Sequence, residues 1–221
     1  MIYQLKPLED SFYDLASRKL ARLDCIILGE GKGEVKVFKE YLRRINIEIE
    51  FELGLTDCEG IDTLYEIAKT ISILARIKRK IKVIAMIVDS ESFSKEDRVK
   101  SVVDSLGKEF KITNVEKICC NTYLTKMSID RRNVWLVISI NGEDSLPFKS
   151  KMLEDHGVQI LLLENKISIE KLSQYNNSKE IISENHLIDL IRNTKIEYVR
   201  KAFCHIGCLI ENITSLILKT N

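Results

Sequence analysis

Short, unbroken apolar runs alternate along this chain with longer stretches in which apolar residues recur every three or four positions. The runs CIILG at 25–29 and IAMIV at 84–88 are too short for isolated helices and rich in branched side chains, the pattern of parallel strands covered on both faces. Further runs at 47–53, 115–120 and 135–140 read as strands. Helical periodicity covers 34–45, 61–79 and 95–109, and an amphipathic helix over 11–22 places Phe12, Leu15, Ala16 and Leu20 on one face. Strand, helix, strand, helix order predicts an α/β fold with a mostly parallel central sheet flanked by helices.

The stretch 149–165 reads two ways: Gly157 breaks it into a short helix and a strand, or it continues as helix. Beyond Lys166, apolar residues recur at helical spacing through Ile181, Ile182, Leu187, Leu190, Ile191, Val199 and Phe203, and a last helix runs over 195–219. The expected organisation is an N-terminal helical segment at 1–23, an α/β domain at 24–165, and a helical C-terminal extension at 166–221 packed on the core. That last helix is apolar enough to pack on the core or to form a homodimer.

Chemistry concentrates where two of the runs end. The first empties into GEGKGE, carrying Glu30 and Glu34, and the second into Asp89, Ser90 and Glu91. Parallel sheets place ligand sites beyond the carboxyl ends of their strands. If residues 89–91 stay extended, alternation turns Asp89 and Glu91 to one side and Ser90 to the other. Crowded carboxylates repel, and a hard divalent cation relieves that repulsion while retaining water and open positions for phosphate oxygens. Simpler roles compete. Glu30 and Glu34 fit the first turn of a helix, Asp89 could cap a helix beginning near Lys95, and Glu154 and Asp155 read as a solvated helix surface. Gly29, Gly31 and Gly33 form GxGxG, which lacks both the dinucleotide spacing and the Lys-Ser or Lys-Thr ending of a phosphate loop.

Glu30, Gly31 and Glu34, followed by acids one residue apart at Asp89 and Glu91, resemble the motif order of the TOPRIM superfamily, shared by topoisomerases, primases, OLD-family nucleases and small stand-alone proteins. GLTDCEGIDTL at 54–64 is similar to the family's glycine-bearing turn, and Leu153, Glu154 and Asp155 to the Leu-Glu-Asp segment of stand-alone members. The resemblance covers about 24–163. It implies a TOPRIM-like, Rossmannoid sheet and Mg2+ (or Mn2+)-dependent phosphoryl transfer on DNA or RNA, with a nuclease as the leading activity. Carried over, Glu30 is the general acid or base, Asp89 and Glu91 are metal ligands, and Glu34 is a further ligand. The second acid of the family's pair is usually aspartate, so Glu91 departs from the pattern. A nucleic-acid-binding or regulatory module that keeps the fold without turnover is the alternative.

Composition adds little that is specific. The 221 residues carry a net charge of +1, and basic residues cluster at Arg43 and Arg44, at Arg76, Lys78, Arg79, Lys80 and Lys82, and at Arg131 and Arg132. Such clusters suit phosphate contacts or the charged ends of helices equally. No apolar stretch reaches membrane-spanning length, and Glu9 and Asp10 argue against a signal peptide. A cytoplasmic protein without membrane contact is expected. Cys25, Cys58, Cys119, Cys120, Cys204 and Cys208 lack zinc-site spacing and read as core thiols of a reducing compartment.

Overall fold

The computed structural model describes residues 1–5, 22–77, 80–129 and 132–219. Residues 11–21 of the expected helix over 11–22 fall outside the described residues, as do Lys78, Arg79, Arg131 and the side chain of Arg76. Among the described residues the strands are β1 (Ile2–Gln4), β2 (Cys25–Gly29), β3 (Leu53–Asp57), β4 (Val83–Asp89), β5 (Lys111–Ile112), β6 (Glu116–Cys119), β7 (Thr122–Ile129) and β8 (Arg132–Asn141). The helices are α1 (Lys32–Ile45), α2 (Ile61–Ile77), α3 (Lys95–Gly107), α4 (Asp155–Leu163), α5 (Ile169–Leu172), α6 (Glu184–Asn193), α7 (Ile196–Ala202) and α8 (Cys204–Leu218).

One eight-stranded sheet runs in the order β1-β3-β2-β4-β8-β7-β5, with β6 paired to β7. The pairs β1/β3, β3/β2, β2/β4 and β4/β8 are parallel, while β7 runs antiparallel to β8, β5 and β6. The expected α/β class with a mostly parallel sheet is therefore present. Alternation along each buried strand feeds two separate cores. Ile27, Ala85, Ile87 and Val137 face α1 and the helices from α4 onward, and Ile26, Leu28, Ile84, Met86 and Leu136 face α2 and α3. From β2 the chain crosses through α1 to β3, then returns through α2 on the opposite face to β4. The connections leave β2 and enter β4 in opposite senses, so a topological switch lies between their tips.

Several elements differ from the sequence reading. The strand expected at 47–53 lies instead at Leu53–Asp57. Its alternation of Ile47, Ile49 and Phe51 with Glu48, Glu50 and Glu52 suits a half-exposed strand, whereas β3 sits between β1 and β2 and requires two apolar faces. Gly54 belongs there because an added Cβ would stand 2.6 Å from Leu23 and 2.8 Å from Leu5. The final helix is two helices, α7 and α8, bent by 81° at the fully buried Phe203. Among the described residues no single helix is long and apolar enough to cross a membrane.

Within the stretch 149–165 a helix, α4, occupies only Asp155–Leu163, with Gly157 inside it, while Lys151 forms a bridge with Glu91. At this position a Cβ would approach Leu187 to 2.6 Å and Ile182 to 2.9 Å. In an open helix Gly157→Ala would stabilise by about 1 kcal/mol. Here overpacking reverses the sign, and a loss of about 1–3 kcal/mol is expected in urea unfolding.

Candidate functional site

The carboxyl tips of β2 and β4 meet at the switch, and the backbone ties them together. Glu30 N–H donates to Ile87 O at 3.0 Å, prolonging the β2/β4 ladder by one residue, and Asp89 N–H donates to Glu30 Oε2 at 3.1 Å. Gly31 caps α1, and Glu34 in the first turn accepts from Gly31 N–H at 2.8 Å through Oε2. Glu34 thus performs the ordinary helix-start role while its other oxygen looks across the tip. The cap of α3 is Ser94, which accepts from Asp97 N–H at 3.0 Å, so Asp89 is free of that duty.

Asn141, the last residue of β8, lies beside Asp89 in the parallel register. Its amide donates to Asp89 Oδ1 at 2.9 Å and reaches Glu34 Oε1 at 3.5 Å. Leu153 N–H gives Asp89 Oδ1 a second donor at 3.1 Å. Because the amide nitrogen faces carboxylates, Asn141 Oδ1 must accept from His205 Nε2, 3.0 Å away. His205 in turn stacks on His156 with ring centroids 4.3 Å apart, and His156 Nε2 accepts from Gly142 N–H at 3.1 Å. Thus α8 supports β8, β8 supports the acid of β4, and the chain of contacts crosses the buried layer.

Glu30, Glu34 and Asp89 are the predicted acids that the fold brings together. Glu154 joins them from the entrance to α4; it is 8% exposed, and its Oε2 is buried without a hydrogen-bond partner. Burial raises all four carboxyl pKa values, that of Asp89 well above the usual aspartate range. Repulsion from Glu34, Glu30 and Glu154 adds to the rise at Asp89, against the pull of the Asn141 amide. At Glu30 the Asp89 N–H and the Arg98 charge oppose the rise.

Glu91 does not join this group. The strand ends at Asp89, and Glu91 turns with φ of +53° into an isolated bridge with Lys151, so the extended alternation expected for 89–91 does not occur. Its carboxylate instead pairs with Arg98 at 2.7 Å. Arg98 is buried, donates through Nε to Asp89 O at 2.7 Å, and lies over the Phe93 ring. Asp155 is also corrected. It is fully buried rather than solvated, accepting from Ser178 Oγ at 2.7 Å and Glu143 N–H at 3.1 Å, and it shapes the turn over the tip.

The sequence reading missed Asn141, His205 and Arg98. Asn141 carries no charge, and only its place at the end of the VWLVISI strand marks it. The donors at the tip are hard oxygens, which match Mg2+ or Mn2+ chemistry, and the unpartnered Glu154 oxygen fits an added cation. Among the described residues no three His, Cys, Asp or Glu side chains form a preassembled shell for a metal ion. Comparison with protein families, curated proteins and solved structures finds no match to this chain.

Two outcomes follow from these charges. The elevated Asp89 pKa favours the fold when the carboxyl is protonated, and that benefit disappears as pH rises through the folded value. Asp89→Asn in chelator at neutral pH should therefore raise Tm, by about 2–4 °C for each kcal/mol of repulsion relieved. An unchanged or lower Tm in differential scanning fluorimetry contradicts this account.

Histidines act in the opposite sense. Burial lowers the His156 pKa from 6.5 to about 3, and burial together with His156 holds His205 well below its ordinary value. Their neutral forms stabilise the fold above the unfolded value of about 6.5, and this contribution is lost as pH falls toward about 3. Urea titrations between those limits should show His156→Gln to be less acid-sensitive than the unaltered chain.

Proposed function

We propose that this tip is a magnesium- or manganese-dependent phosphoryl-transfer site acting on nucleic acid, a nuclease of the TOPRIM kind. The observation that carries the reading is the convergence of Glu30, Glu34, Asp89 and Glu154 at the β2/β4 switch, with every carboxyl pKa raised by burial. Asp89 and Glu34 would hold the cation. Mg2+ keeps several waters and binds through one or two carboxylates, so a complete protein cage is not required. Such an ion would supply positive charge for a phosphate and its departing oxygen.

Glu30 takes the proton role. Its raised pKa brings it toward the working range of a general acid or base. Asn141 and Leu153 N–H fix the Asp89 carboxylate, and Arg98 holds the adjoining backbone carbonyl while countering the charge of Glu30. Glu91 would reach the cation only by releasing Arg98. The expected homodimer through the C-terminal helices is not needed for this arrangement.

A specific observation favours the second reading, a nucleic-acid-binding or regulatory module without turnover. Glu91 is committed to Arg98, and several basic groups serve the fold itself. Arg43 pairs with Glu40, Arg44 donates to Thr194 O, Lys80 to Arg22 O, and Arg132 to Ala75 O and Ile81 O.

Labelled single- and double-stranded DNA and RNA, incubated with Mg2+, Mn2+ or chelator, separate the two. The nuclease reading expects metal-dependent cleavage, abolished by Asp89→Ala and reduced about 10²–10⁴-fold by Glu30→Gln. Binding that survives both substitutions, with no cleavage in either metal, supports the module.

A further inference from the structure

Four of the six cysteines gather outside the acidic group, where the β6–β7 turn meets the start of α8. Cys119 and Cys208 form a disulfide with Cα atoms 6.3 Å apart, joining positions 89 residues distant in sequence. This corrects the expectation that all six are core thiols; Cys25 and Cys58 alone are buried free thiols among the described residues. Cys120 and Cys204 remain as exposed thiols, and all four line one cavity of about 460 Å³ with Tyr41, Arg200 and Glu211.

The local geometry pairs the residues in order. Cys120 directly follows Cys119 and turns with φ of +42°, while Cys204 lies one helical turn before Cys208 on α8. Neighbouring residues of a turn thus face positions i and i+4 of a helix. The Cys204 pKa is pushed up to about 12, first by partial burial and then by the neighbouring Cys120 sulfur. Both sulfurs are exposed and line the same cavity, with Cys120 presented by the hairpin turn and Cys204 by the first turn of α8.

We infer that Cys120 and Cys204 are a redox-modification site, forming a second, reversible disulfide beside Cys119–Cys208 when the chain meets hydrogen peroxide. The Cys120 sulfur takes one peroxide oxygen as the O–O bond breaks, giving a sulfenic acid and one water. The Cys204 sulfur then displaces the sulfenic oxygen as a second water. Two thiols lose two electrons and two protons in total, and these reduce the peroxide. A thiol reductant reverses the step by exchange at either sulfur. The product is a double staple between the β6–β7 hairpin and α8.

Alkylation of the denatured full chain, read by intact mass, tests the proposal. Before peroxide the four free thiols Cys25, Cys58, Cys120 and Cys204 should react, and after peroxide only Cys25 and Cys58. Cys120→Ser should abolish that loss and leave Cys119–Cys208 unaffected. A chain carrying Cys119→Ser and Cys208→Ser resolves the adjacent-cysteine ambiguity, because peptide mapping must then find Cys120 linked to Cys204. Circular dichroism of each variant confirms that the fold is retained. Overoxidation of Cys120 without linkage overturns the proposal. So does peroxide resistance of all four free thiols, or stoichiometric zinc held by the four clustered sulfurs after reduction.

Discussion

Carboxylates of like charge, held together in a poorly hydrated crevice, are the constraint around which this molecule is arranged. Each costs free energy to bury, and each raises the cost of its neighbours. The fold meets that cost with directed donors: the Asn141 amide, the N–H groups of Gly31, Asp89 and Leu153, and the guanidinium of Arg98 behind the Asp89 carbonyl. These donors orient the acids but do not cancel the effect of burial, and all four carboxyl pKa values stay raised.

Sheet topology explains why the acids meet at this place. Glu30 and Asp89 are 59 positions apart in sequence but become neighbours because β2 and β4 are paired in parallel and end together. The crossovers on opposite faces keep their tips uncovered by either helix layer. Segment 151–153 then closes over the tip through the Glu91–Lys151 bridge and the Leu153 contact with Asp89. Tight backbone approach requires a glycine at 142, where φ is +106° and a Cβ would fall 2.5 Å from Lys151.

The parts legible in sequence were those governed by one-dimensional patterns. Strands β2 and β4 announce themselves as continuous branched-apolar runs, and α1 and α3 by periodicity, so Glu30, Glu34 and Asp89 could be placed at strand and helix ends. Strand β3 was displaced because the alternating IEIEFE segment looks more strand-like than the short, two-faced LGLTD that fills the interior. Strand β7 escaped notice because TYLTKMSI mixes polar and apolar residues in a sheet region only partly covered; there Lys126 lies over the Trp135 ring on β8. Asn141, His205 and Arg98 depend on contacts between distant segments, which no local pattern encodes. The departure of Glu91 likewise follows from a backbone turn invisible to alternation.

His205 occupies the turn of α8 between Cys204 and Cys208, and its ring holds the Asn141 amide against Asp89. The last helix is therefore a buttress for the acidic edge of the sheet as well as a cover for hydrophobic side chains. An excised α/β core lacking α8 would retain every acid in its primary structure yet lose the strut that sets the pose of Asp89. Modularity drawn at a change in secondary-structure type would cut through the machinery it was meant to isolate.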